Sequence, residues 1–455
     1  MTIRLAFDRG TLELQNVDLG QAGDLPDVVW DPRTRSFRAP AYQYAAITSA
    51  LSTAGIAHEA SIVWPQPKGA FATIELRPYQ QAALDSWEVA GHRGIIVLPT
   101  GAGKTRIALG AIAALRVSTL CLVPTRVLLH QWHAELGRVY GSGVGALGDG
   151  SRTLRPLTIA TYESAYRHMH RFGDRFQLVI VDEAHHFGGN QRDEVLEMSV
   201  APMRLGLTAT PLSEDATRQT CERLIGPEVY RLGVLDLSGS YLAELELVRL
   251  EIELSSEERH RYEIETSAYR GALHAFMRRH PEATWSDFAR AASASDGGRR
   301  ALAAFRRARA IAHYNRAKSN LVGRLLARHR LGRTLVFTAS NDAAYALARE
   351  HLVMPITCDI VHKEREHAFQ LFRDGTLRAL VSSRVLNEGI DLPDADVAVI
   401  VGGSHGEREH VQRVGRVLRP SAGKRALVYE LVSRGTSEVQ RAQARNRALA
   451  GSRSI

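Results

Sequence analysis

At 455 residues, with 45% hydrophobic and 24% charged side chains, the chain has length for two to three domains, and its composition excludes a disordered or fibrous protein. No apolar run reaches the length of a membrane span, the start Met1-Thr2-Ile3-Arg4 lacks a signal-peptide layout, and the scattered Cys121, Cys221 and Cys358 form neither a disulfide framework nor a metal spacing, so a cytoplasmic protein is expected. The net charge of +9, supplied almost wholly by arginine, points to an anionic partner, nucleic acid first.

From the N-terminus, Ile3–Phe7 and Thr11–Leu14 alternate around Asp8-Arg9-Gly10, which predicts two strands joined by a tight turn. Trp30–Pro40 reads as a polar, proline-bounded loop, followed by a helix over about 41–51. Arg33, Arg35 and Arg38 beside Trp30 and Phe37 offer charge and stacking to a nucleic acid, although a solvated turn has the same composition. The stretch Trp64–Gly69, with two prolines and a glycine, reads as the linker that closes a first domain over 1–68.

Residues 70–240 alternate strand-like and helix-like segments, the pattern of a parallel α/β sheet whose ligands bind beyond the carboxyl ends of its strands. Strands are predicted at Gly94–Leu98, Thr119–Val123, Leu157–Ala160, Leu178–Val181 and Arg204–Leu207. The first runs into Pro99-Thr100-Gly101-Ala102-Gly103-Lys104-Thr105 and then an alanine-rich helical stretch, the layout of a phosphate-binding loop. The glycines let backbone N–H groups converge on a phosphate, and the helix N-terminus adds its positive dipole end. Lys104 then reaches the β- and γ-phosphates, and the Thr105 hydroxyl is placed to ligate magnesium. Leu98 stands where the pattern usually has its first glycine. Upstream, Arg77 and Gln80 suit an adenine edge and face, or an ordinary helix start at Pro78. Downstream, an apolar strand delivers Asp182-Glu183-Ala184-His185-His186. Asp182 complements Thr105 at the magnesium ion, and Glu183 orients or deprotonates the attacking water. Thr208-Ala209-Thr210 ends another strand with two hydroxyls suited to tie the carboxylates to a second lobe.

Between Arg259 and Arg333 there are 17 Arg/Lys against 5 Asp/Glu, in helical patterning interleaved with Tyr262, Tyr269, Phe276, Trp285 and Phe288. This is a basic helical protrusion for a phosphate backbone, or a helical hairpin with solvated arginines and aromatic staples. A second α/β unit follows, with strands predicted at Thr334–Thr338, Arg378–Ser382, Val397–Val401 and Ala426–Glu430 and no phosphate loop of its own. It carries Asn387–Asp391 and Gln412–Arg419; on a helix, Gln412, Arg416 and Arg419 share one face, and such guanidiniums stabilise charge on a γ-phosphate.

In this order Pro99–Thr105, Asp182–His186, Thr208–Thr210, Glu388–Asp391 and Gln412–Arg419 resemble the motifs of superfamily 2 helicases and translocases. With Leu76–Gln80, Ser382–Asp391 and Tyr429–Thr436 added, the whole chain is most similar to the XPB family of DNA repair and transcription helicases, in its short archaeal-type form. The resemblance implies an α/β fold of two RecA-like parallel-sheet lobes, at 70–240 and 241–455. It adds a small N-terminal α/β domain that senses distorted DNA and a helical thumb at about 259–310. ATP and Mg2+ are the implied cofactors, and DNA, at junctions of single strand and duplex, the implied partner. Arg77 and Gln80 would contact adenine, and Gln412, Arg416 and Arg419 would sense the γ-phosphate, the arginines acting as fingers. Gly389 and Asp391 would couple the nucleotide to the second lobe, while Thr125, Arg126, Thr161 and Thr338 would line the DNA track. Thr208, Thr210, Glu214 and Asp215 fall in coupling elements. There the family's Arg-Glu-Asp, thought to wedge strands apart, reads Ser213-Glu214-Asp215.

The implied activity is ATP-dependent 3′ to 5′ DNA unwinding or translocation, in nucleotide excision repair or transcription, and short family members often work with a nuclease partner. The rival readings are a duplex translocase without strand separation and a nuclease-recruiting DNA-binding scaffold with a vestigial nucleotide site. An RNA helicase fits Asp-Glu-Ala-His-His less well.

Overall fold

Alternation builds the first sheet. β1 (Ile3–Asp8) pairs antiparallel with β2 (Thr11–Gln15), and Ile3, Leu5, Leu12 and Leu14 point to one buried face. The expected loop at Trp30–Pro40 is instead a hairpin of β3 (Val29–Asp31) and β4 (Ser36–Pro40), closed by a turn in which Arg33 binds Asp31. The period-2 signal is carried by Phe37 and Ala39 alone, because Arg38, bonded to Asp8 and Thr11, and a terminal proline mask it. With β5 (His58–Ala60) the sheet order is β3-β4-β2-β1-β5, and the helix Tyr44–Thr53 covers it through Ile47 and Leu51. The structure, a computed structural model, describes residues 2–141, 143–188, 191–212, 215–241, 244–383, 394–402 and 425–450.

The chain divides into two compact units, the first ending at Leu232 and the second starting at Gly233. In the first unit the N-terminal sheet packs on a larger one. Val200 enters its core, and a Cβ on Gly10 would lie 2.5 Å from Met198 Cγ. The larger sheet contains β6 (Arg93–Val97), β7 (Thr119–Val123), β8 (Gly145–Gly148), β9 (Ser151–Thr153), β10 (Leu157–Thr161), β11 (Leu178–Asp182), β12 (Met203–Thr208) and β13 (Glu228–Arg231). Their order is β13-β6-β12-β11-β7-β10-β8-β9, parallel throughout except for β9. β7, β10 and β11 are buried along their whole length, as expected for strands covered on both faces. At the base of β12 the guanidinium of Arg204, wholly buried, donates to the carbonyls of Ala201, Leu224 and Ser199.

In the second unit β14 (Glu244–Ile252), β15 (Thr334–Phe337), β16 (Met354–Ile356), β17 (Ala379–Ser382), β18 (Val397–Ile400) and β19 (Arg425–Ser433) form a parallel sheet in the order β14-β19-β18-β15-β17-β16. Between β14 and β15 lie the helices Ser256–Arg279, Trp285–Ser293 and Asp296–His313 of the basic segment. Its aromatics pack on one another: Tyr269 and Trp285 contact Phe305 at 5.2 and 4.4 Å, and Phe288 contacts Phe276 at 5.6 Å, with Trp285 still exposed. Among the described residues no helix is long and apolar enough to cross a membrane.

Candidate nucleotide and DNA site

A parallel sheet brings the carboxyl ends of its strands to one edge. In register, Val97 of β6 lies beside Thr208 of β12, Leu207 beside Asp182 of β11, and Val123 of β7 beside Thr161 of β10. The phosphate loop, the carboxylates, the Thr-Ala-Thr segment and, of the expected DNA track, Thr125 and Thr161 therefore share one rim.

Leu98 N donates to Thr208 O at 3.0 Å, which locks the start of the loop to β12. Gly101 (φ +87°) and Gly103 (φ +77°) hold left-handed backbone, and Gly103 caps the helix Lys104–Leu115. A Cβ on Gly103 would lie 2.5 Å from Gln80 Nε2. Two residues that support the loop were not expected from sequence to do so. Tyr79 donates its hydroxyl to Ala102 O at 2.7 Å, and Gln80 Nε2 donates to the same carbonyl at 2.9 Å. Gln80 Oε1 accepts from Arg77 N at 3.0 Å, where Arg77 precedes the helix Pro78–Val89 with its proline in the first turn. Lys104 Nζ folds back onto the carbonyls of Leu98 (3.1 Å) and Pro99 (3.5 Å).

Asp182 ends β11 almost fully buried, and burial pushes its carboxyl above the ordinary range. The Trp132 indole N–H, which donates to Oδ2 at 2.8 Å, the charge of Lys104 and the Glu183 N–H pull it back in part. Trp132 is buried within the apolar stripe of the helix Arg126–Val139, so sequence marks it as core; only the need of a buried indole N–H for an acceptor hints at more. Tyr162 is similarly hidden, donating its hydroxyl to Asp182 O. Glu183 sits in left-handed backbone (φ +56°), a conformation that is strained for a side-chain-bearing residue. Its Oε2 lies 3.4 Å from His185 Nδ1, which is 3.1 Å from Thr208 Oγ1. Thr208 gives its hydroxyl proton to Thr210 O at 3.0 Å and accepts from Thr210 N at 3.3 Å. This chain links the carboxylate and Thr-Ala-Thr segments.

Positive-φ glycines, an ammonium resting on carbonyls and a desolvated carboxylate fit a nucleotide triphosphate with a divalent cation. They also make a stability test. The native Asp182 binds its proton more tightly than the unfolded chain does, so stability falls as pH rises from the ordinary carboxylate value through the raised native one. Asp182→Asn should therefore raise the melting temperature by a few degrees at neutral pH without nucleotide, and the gain should vanish on acidification in a thermal-melt pH series.

Farther along the rim, Thr125 caps the helix Arg126–Val139 through Leu128 N, and Thr161 caps the helix Tyr162–His168 through Ser164 N. Both hydroxyls are thus engaged with their own helices, and Arg126 is exposed. In the second unit Thr338 is buried, its hydroxyl donating to Ser340 O at 3.0 Å. Asp215 opens the helix Asp215–Leu224 and pairs with Arg218 at 2.8 Å, an exposed pair within its own helix. Ser213, Glu214, Gly389, Asp391, Gln412, Arg416 and Arg419 lie outside the described residues.

Three family descriptions match the sequence: the Xeroderma pigmentosum group B helicase damage recognition domain over 5–61, the Type III restriction enzyme, res subunit over 73–213, and the helicase conserved C-terminal domain over 317–421. The DNA 3′-5′ translocase XPB2 of Sulfurisphaera tokodaii is 34% identical over 91% of this chain and 94% of its own. The DNA 3′-5′ helicase XPB of Mycobacterium tuberculosis is 33% identical over 83% of this chain, which spans 64% of that protein. Among solved structures, the helicase domain of Pyrococcus furiosus Hef aligns over 82% of this chain and 98% of its own at TM-score 0.54 and 17% identity, a likeness of fold.

Proposed function

Because the chain belongs to the XPB family of helicases, we propose that it is an ATP-dependent DNA motor with 3′ to 5′ polarity, working in DNA repair or transcription. The observation that carries this reading is the single rim where Lys104, Thr105, Asp182, Glu183 and Thr208 meet. Lys104 exchanges its two carbonyls for the β- and γ-phosphates, while the N–H groups of Gly101–Thr105 cradle them. Thr105 and Asp182 hold Mg2+, which when bound neutralises phosphate charge. Glu183 takes the proton of the attacking water, and the His185–Thr208 chain carries the state of Glu183 into the Thr-Ala-Thr segment. Arg77 and Gln80 face the adenine, and Thr125, Arg126, Thr161 and Thr338 follow the DNA backbone. Gln412, Arg416 and Arg419 complete the γ-phosphate site on lobe closure, Gly389 and Asp391 couple nucleotide to the second lobe, and the basic helices of 259–310 grip DNA as a thumb. A nuclease is the proposed protein partner.

Ser213 at the expected wedge position favours keeping a second reading, a duplex translocase without strand separation. DNA-stimulated phosphate release, forked-duplex unwinding and triplex displacement, measured side by side, test both. Unwinding of forks with a 3′ tail and not a 5′ tail is expected. Triplex displacement with intact forks selects the translocase, and no DNA-stimulated hydrolysis overturns the motor.

A further inference from the structure

The turn between β8 and β9 lies beside the proposed DNA track. Gly148 pairs with Ser151, and the two residues between them, Asp149 (φ +50°) and Gly150 (φ +83°), form the tight turn that suits twisted antiparallel strands. A Cβ on Gly148 would lie 3.0 Å from both Leu129 Cδ1 and Thr161 Cγ2, so the turn rests on the helix Arg126–Val139 and the end of β10. Backbone geometry thereby fixes where the Asp149 side chain starts. Its Oδ1 lies 3.4 Å from Arg126 Nη1, and its Oδ2 lies 2.9 Å from His130 Nε2. Arg126 and His130 are one helical turn apart and share a face. All three side chains are open to solvent, at 75% for Arg126, 64% for His130 and 40% for Asp149.

We infer that Asp149 is an internal stand-in for a DNA phosphate, occupying Arg126 and His130 until the nucleic-acid backbone displaces it. The inference rests on the reading of Arg126 as part of the DNA track. An exposed ion pair contributes little to stability, so exchanging one anion for another is cheap, and rotation of the Asp149 side chain frees the Arg126 guanidinium and the His130 ring N–H without moving the turn. The carboxylate cannot leave the neighbourhood, so it opposes every phosphate that binds there. It lowers affinity and blunts salt dependence while leaving the hydrolytic residues untouched. A motor that must let go of each phosphate as it steps is served by such a competitor.

The test is fluorescence anisotropy of the full chain with a labelled single-stranded oligonucleotide, titrated at several salt concentrations. Asp149→Asn, which keeps the turn, should tighten Kd about three- to fivefold at low salt. It should also steepen log K against log salt by roughly 0.7, the worth of one phosphate on a single strand. Both gains should disappear in an Arg126→Ala/His130→Ala background. Unchanged affinity and slope in Asp149→Asn, beside an Arg126→Ala protein that binds more weakly, overturns the inference and leaves the track standing. Binding indifferent to Arg126→Ala removes the track, and the inference with it.

Discussion

Replacing Lys104 by alanine is expected to lower DNA-stimulated ATP hydrolysis at least about 100-fold, the scale of losing one preorganised charge at a transition state. Its side chain leaves the first residue of the helix, just after the left-handed Gly103 cap, and its ammonium is held over the loop by the carbonyls of Leu98 and Pro99. Glu183→Gln should be as inactive for a different reason. It keeps the shape of the side chain and the left-handed backbone but cannot accept a proton. Both variants should still bind DNA, measured by anisotropy, because neither residue belongs to the Thr125–Arg126 track. Phosphate release near the wild-type rate in either would sink the assignment of roles.

Lys318→Met is expected to cost the second unit about 3–5 kcal/mol, the usual result of stranding one half of a buried ion pair. Lys318 and Glu438 are 0% and 1% exposed, with Nζ and Oε2 at 2.7 Å. Nζ also donates to Ala312 O at 2.9 Å and Val401 O at 2.7 Å, and Glu438 Oε2 accepts from Ser433 N at 2.9 Å. One ammonium thus joins the end of the helix Asp296–His313, the end of β18 and the helix after β19. Loss of the amine leaves a carboxylate and the carbonyls dehydrated and unmatched. Calorimetry should show a transition lowered by roughly 10 °C, at about 2–4 °C per kcal/mol for a unit of this size. Lys318→Met/Glu438→Gln should regain much of the loss, since no charge is then stranded and Ser433 N keeps its acceptor. A single variant as stable as wild type would show that the pair is dispensable.

The phosphate loop and the Asp-Glu pair were legible because their chemistry is local: a strand, then a turn whose residue types are dictated by what it must hold. The parallel alternation of strands was legible for the same reason, and predicted and observed strands coincide within a residue or so at Thr119–Val123, Leu178–Asp182 and Val397–Ile400. What sequence could not display is convergence. Trp132 reaches Asp182 from fifty positions away, and Lys318 meets Glu438 across 120. Nothing in either residue's neighbours announces its partner. β14 is a different kind of omission. Glu244-Leu245-Glu246-Leu247 alternates cleanly, but a strand placed before a helical segment reads as a boundary until its partner is seen.

That partner is the last strand of the sheet. Glu244 of β14 faces Arg425 of β19, and the pairing runs unbroken to Ile252 and Ser433. Among the described residues the first unit has all its strands once Arg231 is made, so on a ribosome it can close its core while the rest is still being synthesised. The second unit cannot. Its opening strand must wait until Arg425–Ser433 has been made before the edge it pairs with exists. The half that holds the phosphate loop is therefore finished first, and the half that would complete the motor is withheld until β19 has been made.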